Sequence, residues 1–375
     1  MRRTDEIDSA EELAVHIESG HGLGAAVIQG VDLGEIDADW ERIDVAGAFF
    51  LGCRIADPDV GLTLQRGGAI VVPELGEGRR PYRVYPSRLY SYEDLVATGL
   101  DAAVQSYFES SRSRTGDPDP DLPVEAVAQR LHDTAMTDAI WDLVLPDGER
   151  PRRVAGIMGG HAVARDDPSY RRVAEIGYRL TEAGLLVATG GGPGVMEAGN
   201  LGAFLTRSRD IGTIDAAVAL LAEAPSVEHP DYGARADQVH AEHAAGPGGI
   251  SLAIPTWHYG DEPVGRFASH IAKYFANSIR EDGLLRVAGA GIVFAPGGAG
   301  TVQEIFQDLA VNAYAPAEER APMVFLGADW FRSTGIAAVV ERFALAAEPP
   351  FADLVTITDS VSAAVAAIAA PPGAA

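Results

Sequence analysis

The feature that most constrains the fold of this chain is a repeated strand, turn and helix pattern that begins near residue 152. Short apolar runs predict strands at residues 154–158, 185–188, 250–254, 291–295, 322–326 and 354–357. Amphipathic stretches predict helices over residues 169–183, about 264–281 and from residue 301 onward. Uninterrupted apolar strands separated by helices are typical of a parallel sheet covered on both faces. The predicted fold class is therefore α/β, a doubly wound parallel sheet (Rossmann-like), whose ligands bind beyond the carboxyl ends of the strands.

The chain is longer than one ordinary core, because single cores stop growing at roughly 250–300 residues and this chain has 375. Short apolar runs bounded by turn residues predict strands at 24–28, 45–51 and 69–72. Residues 1–115 are therefore expected to form an N-terminal mixed α+β extension, whose role is unassigned. Residues 116–150 predict a linker, rich in turn residues at 116–122, and a bridging helix over 124–143. The Rossmann-like domain is expected over 151–370.

An acidic insertion at residues 206–249 interrupts this domain and contains a predicted helix around 214–223. It precedes the third strand of the domain, so it lies near the strand ends. Two interpretations stay open at this point. The insertion is either a lid or partner surface, or a solvated excursion of the chain.

The charge of the chain excludes some partners. Asp and Glu outnumber Lys and Arg by 54 to 29, so the surface field repels the phosphates of polymeric nucleic acid and of anionic lipid. A small phosphorylated ligand is still compatible, because backbone amides create a local field of their own. The single cysteine, Cys53, forms no internal disulfide, and no apolar run reaches the roughly 18 residues of a membrane span. We therefore expect a cytoplasmic protein that neither binds nucleic acid polymers nor enters a membrane.

Two glycine-rich loops each follow a predicted strand and open a helix: Gly190-Gly191-Gly192-Pro193-Gly194 and Gly297-Gly298-Ala299-Gly300-Thr301. Missing side chains let a phosphate approach the backbone, and the next helix directs unpaired N–H groups at the anion. The alternative is that any tight turn from strand to helix favours glycine. Neither loop has the Gly-x-Gly-x-x-Gly or Gly-Lys-Ser/Thr pattern, which argues against a dinucleotide oxidoreductase and a nucleoside triphosphatase.

Together, Gly190-Gly191-Gly192-Pro193-Gly194-Val195-Met196-Glu197-Ala198 and Pro296-Gly297-Gly298-Ala299-Gly300-Thr301-Val302-Gln303-Glu304 resemble the signature of the LOG family, the "lysine decarboxylase-like" phosphoribohydrolases. The resemblance covers about residues 152–365. It implies hydrolysis of the N-glycosidic bond of nucleoside 5′-monophosphates to free base and ribose 5-phosphate. It also implies self-association as a homodimer or higher homo-oligomer. We expect no cofactor, since no lysine matches one that would hold pyridoxal phosphate.

The resemblance assigns the catalytic pair to a glutamate in the motif and an arginine on the preceding helix. Glu304 matches the first, one helical turn after Thr301, where a carboxylate stabilises an oxocarbenium-like ribosyl group or orients water. Arg280 matches the second, with Arg286 as the alternative. The predicted phosphate and nucleotide contacts are Gly159, Gly160, Gly191, Gly192, Gly194, Met196, Glu197, Gly297, Gly298, Gly300 and Thr301. Ala299 stands where many relatives carry an aromatic residue.

Candidates for contact with the base are His161, which follows the first strand of the domain, and Trp257 and His258, which follow the third with Tyr259. The alternatives are a capping or surface role for His161 and a packing cluster for the aromatic residues. His240 and His243 have the spacing of metal ligands on a helix, but no third ligand accompanies them, so no metal is expected.

Three hypotheses for function follow. The leading one is a nucleotide 5′-monophosphate nucleosidase. The second is a non-catalytic nucleotide-binding sensor or carrier of the same fold. In the third, residues 1–115 bind a protein partner or regulator while the C-terminal domain serves as scaffold.

Overall fold

A computed structural model of the chain describes residues 5–72, 75, 80–111, 123–146, 148, 150–246, 248–260 and 262–370. The predicted turn-rich linker at 116–122 lies outside the described residues. The chain divides into two compact units, Met1–Arg88 with Ala103–Glu149, and Leu89–Ala102 with Arg150–Ala375. Residues 89–102, which the sequence placed in the N-terminal extension, thus belong to the second unit.

The first unit contains a four-stranded sheet in the order β1-β2-β3-β4. Its strands are β1 Asp5–Ile7, β2 Ala26–Gln29, β3 Phe49–Leu51 and β4 Ile70–Val72. Its helices are α1 Ala10–Glu18, α2 Pro58–Arg66, the larger part of α3 Leu100–Ser111, and α4 Pro123–Val144, which coincides with the helix predicted over 124–143 and lies wholly in this unit. All three strand pairings are parallel, so this unit is α/β rather than the mixed α+β extension we expected. Crossovers through α1 and α2 return the chain to the same end of the sheet, which makes neighbouring strands parallel.

The second unit is built on a seven-stranded sheet in which every pairing is parallel. Its strands are β5 Val154–Met158, β6 Leu186–Thr189, β7 Ser251–Ala253, β8 His270–Ile271, β9 Gly291–Phe294, β10 Met323–Leu326 and β11 Val355–Thr358. Six of them lie within one or two residues of the predicted strands. This confirms the doubly wound, Rossmann-like fold.

Helices cover both faces of this sheet, as the connections between parallel strands require. They are α5 Pro168–Glu182, α6 Val195–Leu205, α7 Thr213–Leu221, α8 Tyr232–His243, α9 Asn277–Val287, α10 Ala299–Tyr314, α11 Ala328–Ser333, α12 Ile336–Ala346 and α13 Val361–Ala369. The predicted apolar face of α5, with Tyr170, Val173, Ile176 and Leu180, is fully buried. The Asp167 side chain caps α5 by accepting a hydrogen bond from the Ser169 amide.

The strand order β11-β10-β9-β5-β6-β7-β8 contains one reversal of direction. The chain runs from β5 outward to β8, and then returns to the other side of β5 with β9. The crossover connections that follow β5 and β9 therefore leave the switch point in opposite directions, and this is the position where doubly wound sheets bind their ligands. The sequence order of the strands thus places the motif Pro296–Thr301, which follows β9, at the expected binding position.

The predicted helix over 264–281 is wrong from 264 to 276 and correct only over its last five residues. Residues 270–271 form strand β8, and helix α9 begins only at Asn277. The backbone stays extended beyond β8, where the amides of Ala272 and Tyr274 donate to the carbonyls of Ala253 and Pro255 over 2.8 and 3.0 Å. These bonds beside β7 satisfy backbone groups that a helix would have satisfied internally.

The insertion at 206–249 forms α7 and α8, and α7 covers the predicted helix around 214–223. Ile214, Leu221 and Val239 are fully buried and belong to the main apolar core of the unit. Both helices therefore pack as part of the domain. Within the described part of the chain, no helix combines the length and apolar character needed to cross a bilayer.

Candidate functional site

Three loops meet at the carboxyl ends of β9, β5 and β6, which are adjacent in the sheet. The amide of Gly160, after β5, donates to the carbonyl of Pro296, after β9, over 3.0 Å. The amide of Val195, after β6, donates to the carbonyl of Gly160 over 3.2 Å. The predicted residues Gly159, Gly160, Gly194 and Gly297 thus lie in one continuous group of turns.

The loop after β9 is open to solvent at its tip. Gly298 and Gly300 are exposed, and a Cβ placed on either would meet nothing within 4 Å. Gly298 precedes helix α10, and no side chain caps the amides of its first turn. Helix amides without acceptors attract anions, and here the chain leaves space for one. At Gly297, by contrast, a Cβ would collide with the hydroxyl of the buried Thr301.

The loop after β6 is closed by its own surroundings. Gly191 and Gly194 have φ angles of +79° and +68°, which disfavour other residues. A Cβ on Gly191 would lie 2.7 Å from the Pro255 ring, and one on Gly194 would lie 2.5 Å from the Gly160 carbonyl oxygen. Close packing therefore accounts for these two glycines, as the alternative interpretation of the sequence proposed. A Cβ on Gly192 would lie 3.5 Å from Oε2 of Glu262, a carboxylate that disfavours phosphate on that side.

The side chains of Arg280 on α9 and Glu304 on α10 meet with Nη1 of Arg280 3.4 Å from Oε1 of Glu304. Their side chains are only 10% and 13% exposed. The buried Nε of Arg280 has no hydrogen-bond partner among the described residues, and Nη1 lies 3.6 Å from a Cβ placed on Gly190. Arg286, the alternative from sequence, is 68% exposed and lies 4.0 Å from Asp282. Of the two arginines, the structure brings Arg280 to Glu304.

Burial raises the pKa of Glu304 from 4.5 to about 7. The positive charge of Arg280 opposes this rise, whereas the negative charge of Glu281 adds to it. The carboxyl group therefore changes protonation state near neutral pH, as suits a group that exchanges protons during a reaction.

Met196 and Glu197, the two predicted contacts on the first turn of α6, differ in their surroundings. The Met196 side chain lies along the β6 loop, with its sulfur 2.8 Å from a Cβ placed on Gly190. Glu197 is buried, and its carboxylate accepts hydrogen bonds from Arg165, Tyr170 and Tyr232. These donors hold the start of α6 against the β5 loop and α8. Sequence reasoning missed Arg165 and Tyr232, because no local pattern connects them with Glu197.

Among the predicted base contacts, Trp257 is fully buried. Its ring lies 4.6 Å from that of Phe275, and its Nε1 donates to Asp101 over 2.8 Å. The packing alternative therefore describes Trp257 in this structure, because a buried ring offers no face to a base. His161 is exposed and His258 is half-buried.

Tyr259 is the aromatic residue of this group that is both exposed, at 55%, and close to the Arg280 and Glu304 pair. Its hydroxyl accepts a hydrogen bond of 2.7 Å from Nδ2 of Asn277, on the first turn of α9. Its ring stands edge-on to His258 with centroids 5.2 Å apart. Asn277, Glu281 and Gln303 are further polar residues here that sequence reasoning missed, although each is within three residues of a predicted catalytic residue.

His240 stacks on Phe204 with ring centroids 4.8 Å apart, and burial lowers its pKa. Within the described ranges, no three side chains of His, Cys, Asp or Glu are grouped as metal ligands would be.

The fold and the site define a doubly wound α/β protein with an open glycine loop and a buried arginine–glutamate pair at its switch point. No protein-family model matches the chain, and no curated protein matches it. The chain shares a distant likeness with several solved structures.

One such structure is the molybdenum cofactor binding protein from the phototrophic bacterium Rippkaea orientalis, which is 14% identical over 56% of this chain and 91% of that chain, with a TM-score of 0.34. The molybdenum cofactor carrier protein of Chlamydomonas reinhardtii is 16% identical over 58% and 96% of the two chains, with a TM-score of 0.34. The structural genomics target TM1055 is 20% identical over 57% and 96%, with a TM-score of 0.36. Function is therefore inferred from the geometry of the site.

Proposed function

We propose that this protein hydrolyses the N-glycosidic bond of nucleoside 5′-monophosphates and releases free base and ribose 5-phosphate. The observation that carries the proposal is the contact between Arg280 and Glu304, at 3.4 Å, beside the open loop Gly298–Gly300. The paired motifs that resemble the LOG family support the same activity. Self-association as a homodimer or higher homo-oligomer, and a cytoplasmic location, stay predictions.

The 5′-phosphate is proposed to bind at the start of α10. The uncapped amides of the first turn and the positive end of the helix dipole favour an anion there. Gly298 and Gly300 leave room for phosphate oxygens at the backbone. Glu304 lies on the same helix, one turn after Thr301, so a phosphate at the loop brings the attached ribose towards the carboxylate.

In the reaction, a water molecule attacks C1′ of the ribose while the bond from C1′ to the base nitrogen breaks. The bonding electron pair leaves with the base, and positive charge develops on the ribose ring. The Glu304 carboxylate stabilises this charge and accepts one proton from the attacking water. The same proton then passes from Glu304 to the departing base. One water is consumed for each base and ribose 5-phosphate formed.

Arg280 supports the reaction through its fixed positive charge. Its Nη1 is close both to Glu304, at 3.4 Å from Oε1, and to Gly190, at 3.6 Å from a Cβ placed there. Its buried Nε has no partner among the described residues. An unsatisfied buried donor costs free energy that a ligand oxygen or nitrogen recovers by accepting from it. Substrate binding at this position would therefore supply an acceptor to a donor that pairs with none of the described residues.

The test is a panel of AMP, GMP, CMP, UMP and isopentenyladenosine monophosphate, with free base and ribose 5-phosphate quantified together. Equimolar release by the wild-type protein, with a loss of at least about 100-fold in Glu304→Gln, is expected. Glu318→Gln, which changes an exposed glutamate after α10, is the matched control and should keep full activity. Binding without release from any nucleotide would contradict hydrolysis and favour the sensor or carrier hypothesis.

A further inference from the structure

Beside Arg280 and Glu304 runs a series of hydrogen-bonded side chains formed by Tyr259, Asn277, Glu281 and Gln303, here called the α9 bridge. Asn277 donates from Nδ2 to the Tyr259 hydroxyl and to Oε1 of Glu281, over 2.7 Å in both cases. Gln303 donates from Nε2 to Oε2 of Glu281 over 2.6 Å. Each oxygen of the Glu281 carboxylate thus accepts from a different side chain, on α9 and on α10.

The α9 bridge and the catalytic pair cross between the same two helices at adjacent positions. Arg280 and Glu281 are consecutive on α9, and Gln303 and Glu304 are consecutive on α10. One cross-link joins Arg280 to Glu304 over 3.4 Å, and the next joins Glu281 to Gln303 over 2.6 Å. The shorter bond fixes the separation of the helices at the point where the longer contact forms.

Glu281 is a costly residue to place here for structural reasons alone. It is buried, and no Lys, Arg or His within the described ranges forms an ion pair with it, since Arg280 pairs with Glu304 instead. A buried carboxylate without a cation loses hydration that two amide donors replace only in part. A neutral glutamine would avoid this cost, but its single oxygen could accept from only one of the two amides, so it would join α9 and α10 less firmly.

We propose, on the basis of the function proposed above, that Glu281 is a positioning residue for the hydrolysis: it holds α10 against α9 and places a second negative charge beside the Glu304 carboxylate.

The charged and titratable groups that face Glu304 are Arg280 and Glu281 from α9 and Tyr259 from the segment after β7. Arg280 favours the carboxylate form of Glu304, while burial and Glu281 favour the protonated form. Tyr259 remains neutral near pH 7, because burial and the nearby carboxylates raise its pKa above 10. Removing the charge of Glu281 therefore leaves Arg280 opposed by burial alone, and the pKa of Glu304 falls.

The experiment compares three variants of the full chain. Glu281→Gln keeps the shape and removes the charge, Gln303→Ala breaks the link and keeps the charge, and Asp282→Asn removes an exposed charge from the next position of α9. Two readouts are used: the pH dependence of kcat and KM, and the titration of the Glu304 carboxyl by NMR, assigned from Glu304→Gln. The second readout needs no turnover.

In Glu281→Gln, we expect the Glu304 titration and the acid limb of kcat to move to lower pH by about one unit. We expect kcat at pH 8 to fall about tenfold with KM little changed, because the helices are held less firmly. Gln303→Ala should show the loss of kcat without the pH shift, and it replaces Glu281→Gln as the test of positioning if that variant does not fold. Asp282→Asn should match the wild type in both readouts.

An unchanged Glu304 titration in folded Glu281→Gln would overturn the proposal, as would an equal shift in Asp282→Asn. Unchanged kcat in both Glu281→Gln and Gln303→Ala would overturn the positioning role. If the wild-type protein releases no base, the proposed hydrolysis fails by itself, and the NMR titration separately decides whether Glu281 sets the charge of Glu304.

Discussion

The amide of Gly160 donates a 3.0 Å hydrogen bond to the carbonyl of Pro296. This bond joins the loop after β5 to the glycine motif after β9, across the switch point of the sheet. A Cβ on Gly160 would lie 3.0 Å from that same carbonyl oxygen. The approach of the two loops depends on the missing side chain, and it sets the base of the motif while its tip, Gly298–Gly300, stays open.

Turnover should rise with pH through neutrality. Burial raises the pKa of Glu304 to about 7, and the carboxylate is the form that accepts a proton from water. Below pH 7 the group is protonated and activity falls, so kcat should increase roughly tenfold for each pH unit between 5 and 6 and level off above 8. A pH profile of kcat measures this. A profile that is flat from pH 5 to 8, with chemistry rate-limiting, would contradict a proton-accepting role for Glu304.

The two glycine loops should respond differently to alanine. Gly298 has open space where a Cβ would be and a φ of −85°. The unfolding free energy of Gly298→Ala should therefore equal that of the wild type within about 0.5 kcal/mol. Its methyl group occupies the space proposed for phosphate oxygens, and nucleotide affinity should fall about tenfold. Urea unfolding and calorimetric titration with AMP measure the two effects.

Gly191→Ala is the matched comparison, because its φ of +79° and the Pro255 ring leave no room for a methyl group. This variant should lose roughly 2–4 kcal/mol of unfolding free energy. Equal stabilities for the two variants would show that the distinction between an open and a packed loop is incorrect.

Loss of the Glu197 charge should destabilise the domain. Its buried carboxylate accepts from Arg165, Tyr170 and Tyr232. Glu197→Gln leaves the buried Arg165 guanidinium without its counter-charge, at a cost of about 3–5 kcal/mol. The control is Asp215→Asn, which removes an exposed partner of Arg171 and should cost under about 1 kcal/mol. Denaturant unfolding measures the unfolding free energy of both variants. Similar losses of unfolding free energy in the two would contradict the prediction.

Asp308 should make stability fall as pH rises. Burial raises its pKa from 3.8 to about 7, so the folded chain keeps a proton that the unfolded chain releases above pH 4. The folded state binds more protons than the unfolded state in this window, and each pH unit from 4 to 7 therefore removes up to about 1.4 kcal/mol from the unfolding free energy.

The asparagine side chain in Asp308→Asn cannot ionise, so the variant should lack this contribution to the pH dependence of the unfolding free energy. The unfolding free energy of the variant minus that of the wild type should therefore be larger at pH 8 than at pH 5. The control is Asp353→Asn, which changes an exposed aspartate before β11 and should show no such change. Urea midpoints at both pH values provide the measurement. A constant difference between Asp308→Asn and the wild type would show that Asp308 is ionised at both values.

Local patterns were sufficient for most of the sheet. The apolar runs at 154–158 and 291–295 became β5 and β9, because a parallel strand buried on both faces needs apolar residues at every position. The predicted helix over 264–281 was wrong as far as residue 276. Buried residues such as Phe267, Ile271 and Phe275 fit a helical period, yet the edge of β7 offered hydrogen-bond partners to an extended chain, and no local pattern contains that information.

The sequence by itself determined the order of six of the seven strands in the second unit, and with it the motif after β9 and the acidic residue one turn after Thr301 in α10. The tertiary structure alone decided which glycine loop is open, which arginine meets Glu304, and that Trp257 and Glu197 are enclosed by partners distant in the chain. The physical reason is the distance along the chain over which each property is determined. Backbone conformation and amphipathic periods depend on neighbouring residues, whereas burial, free space and the pKa of a carboxyl group depend on whatever the rest of the fold packs around it.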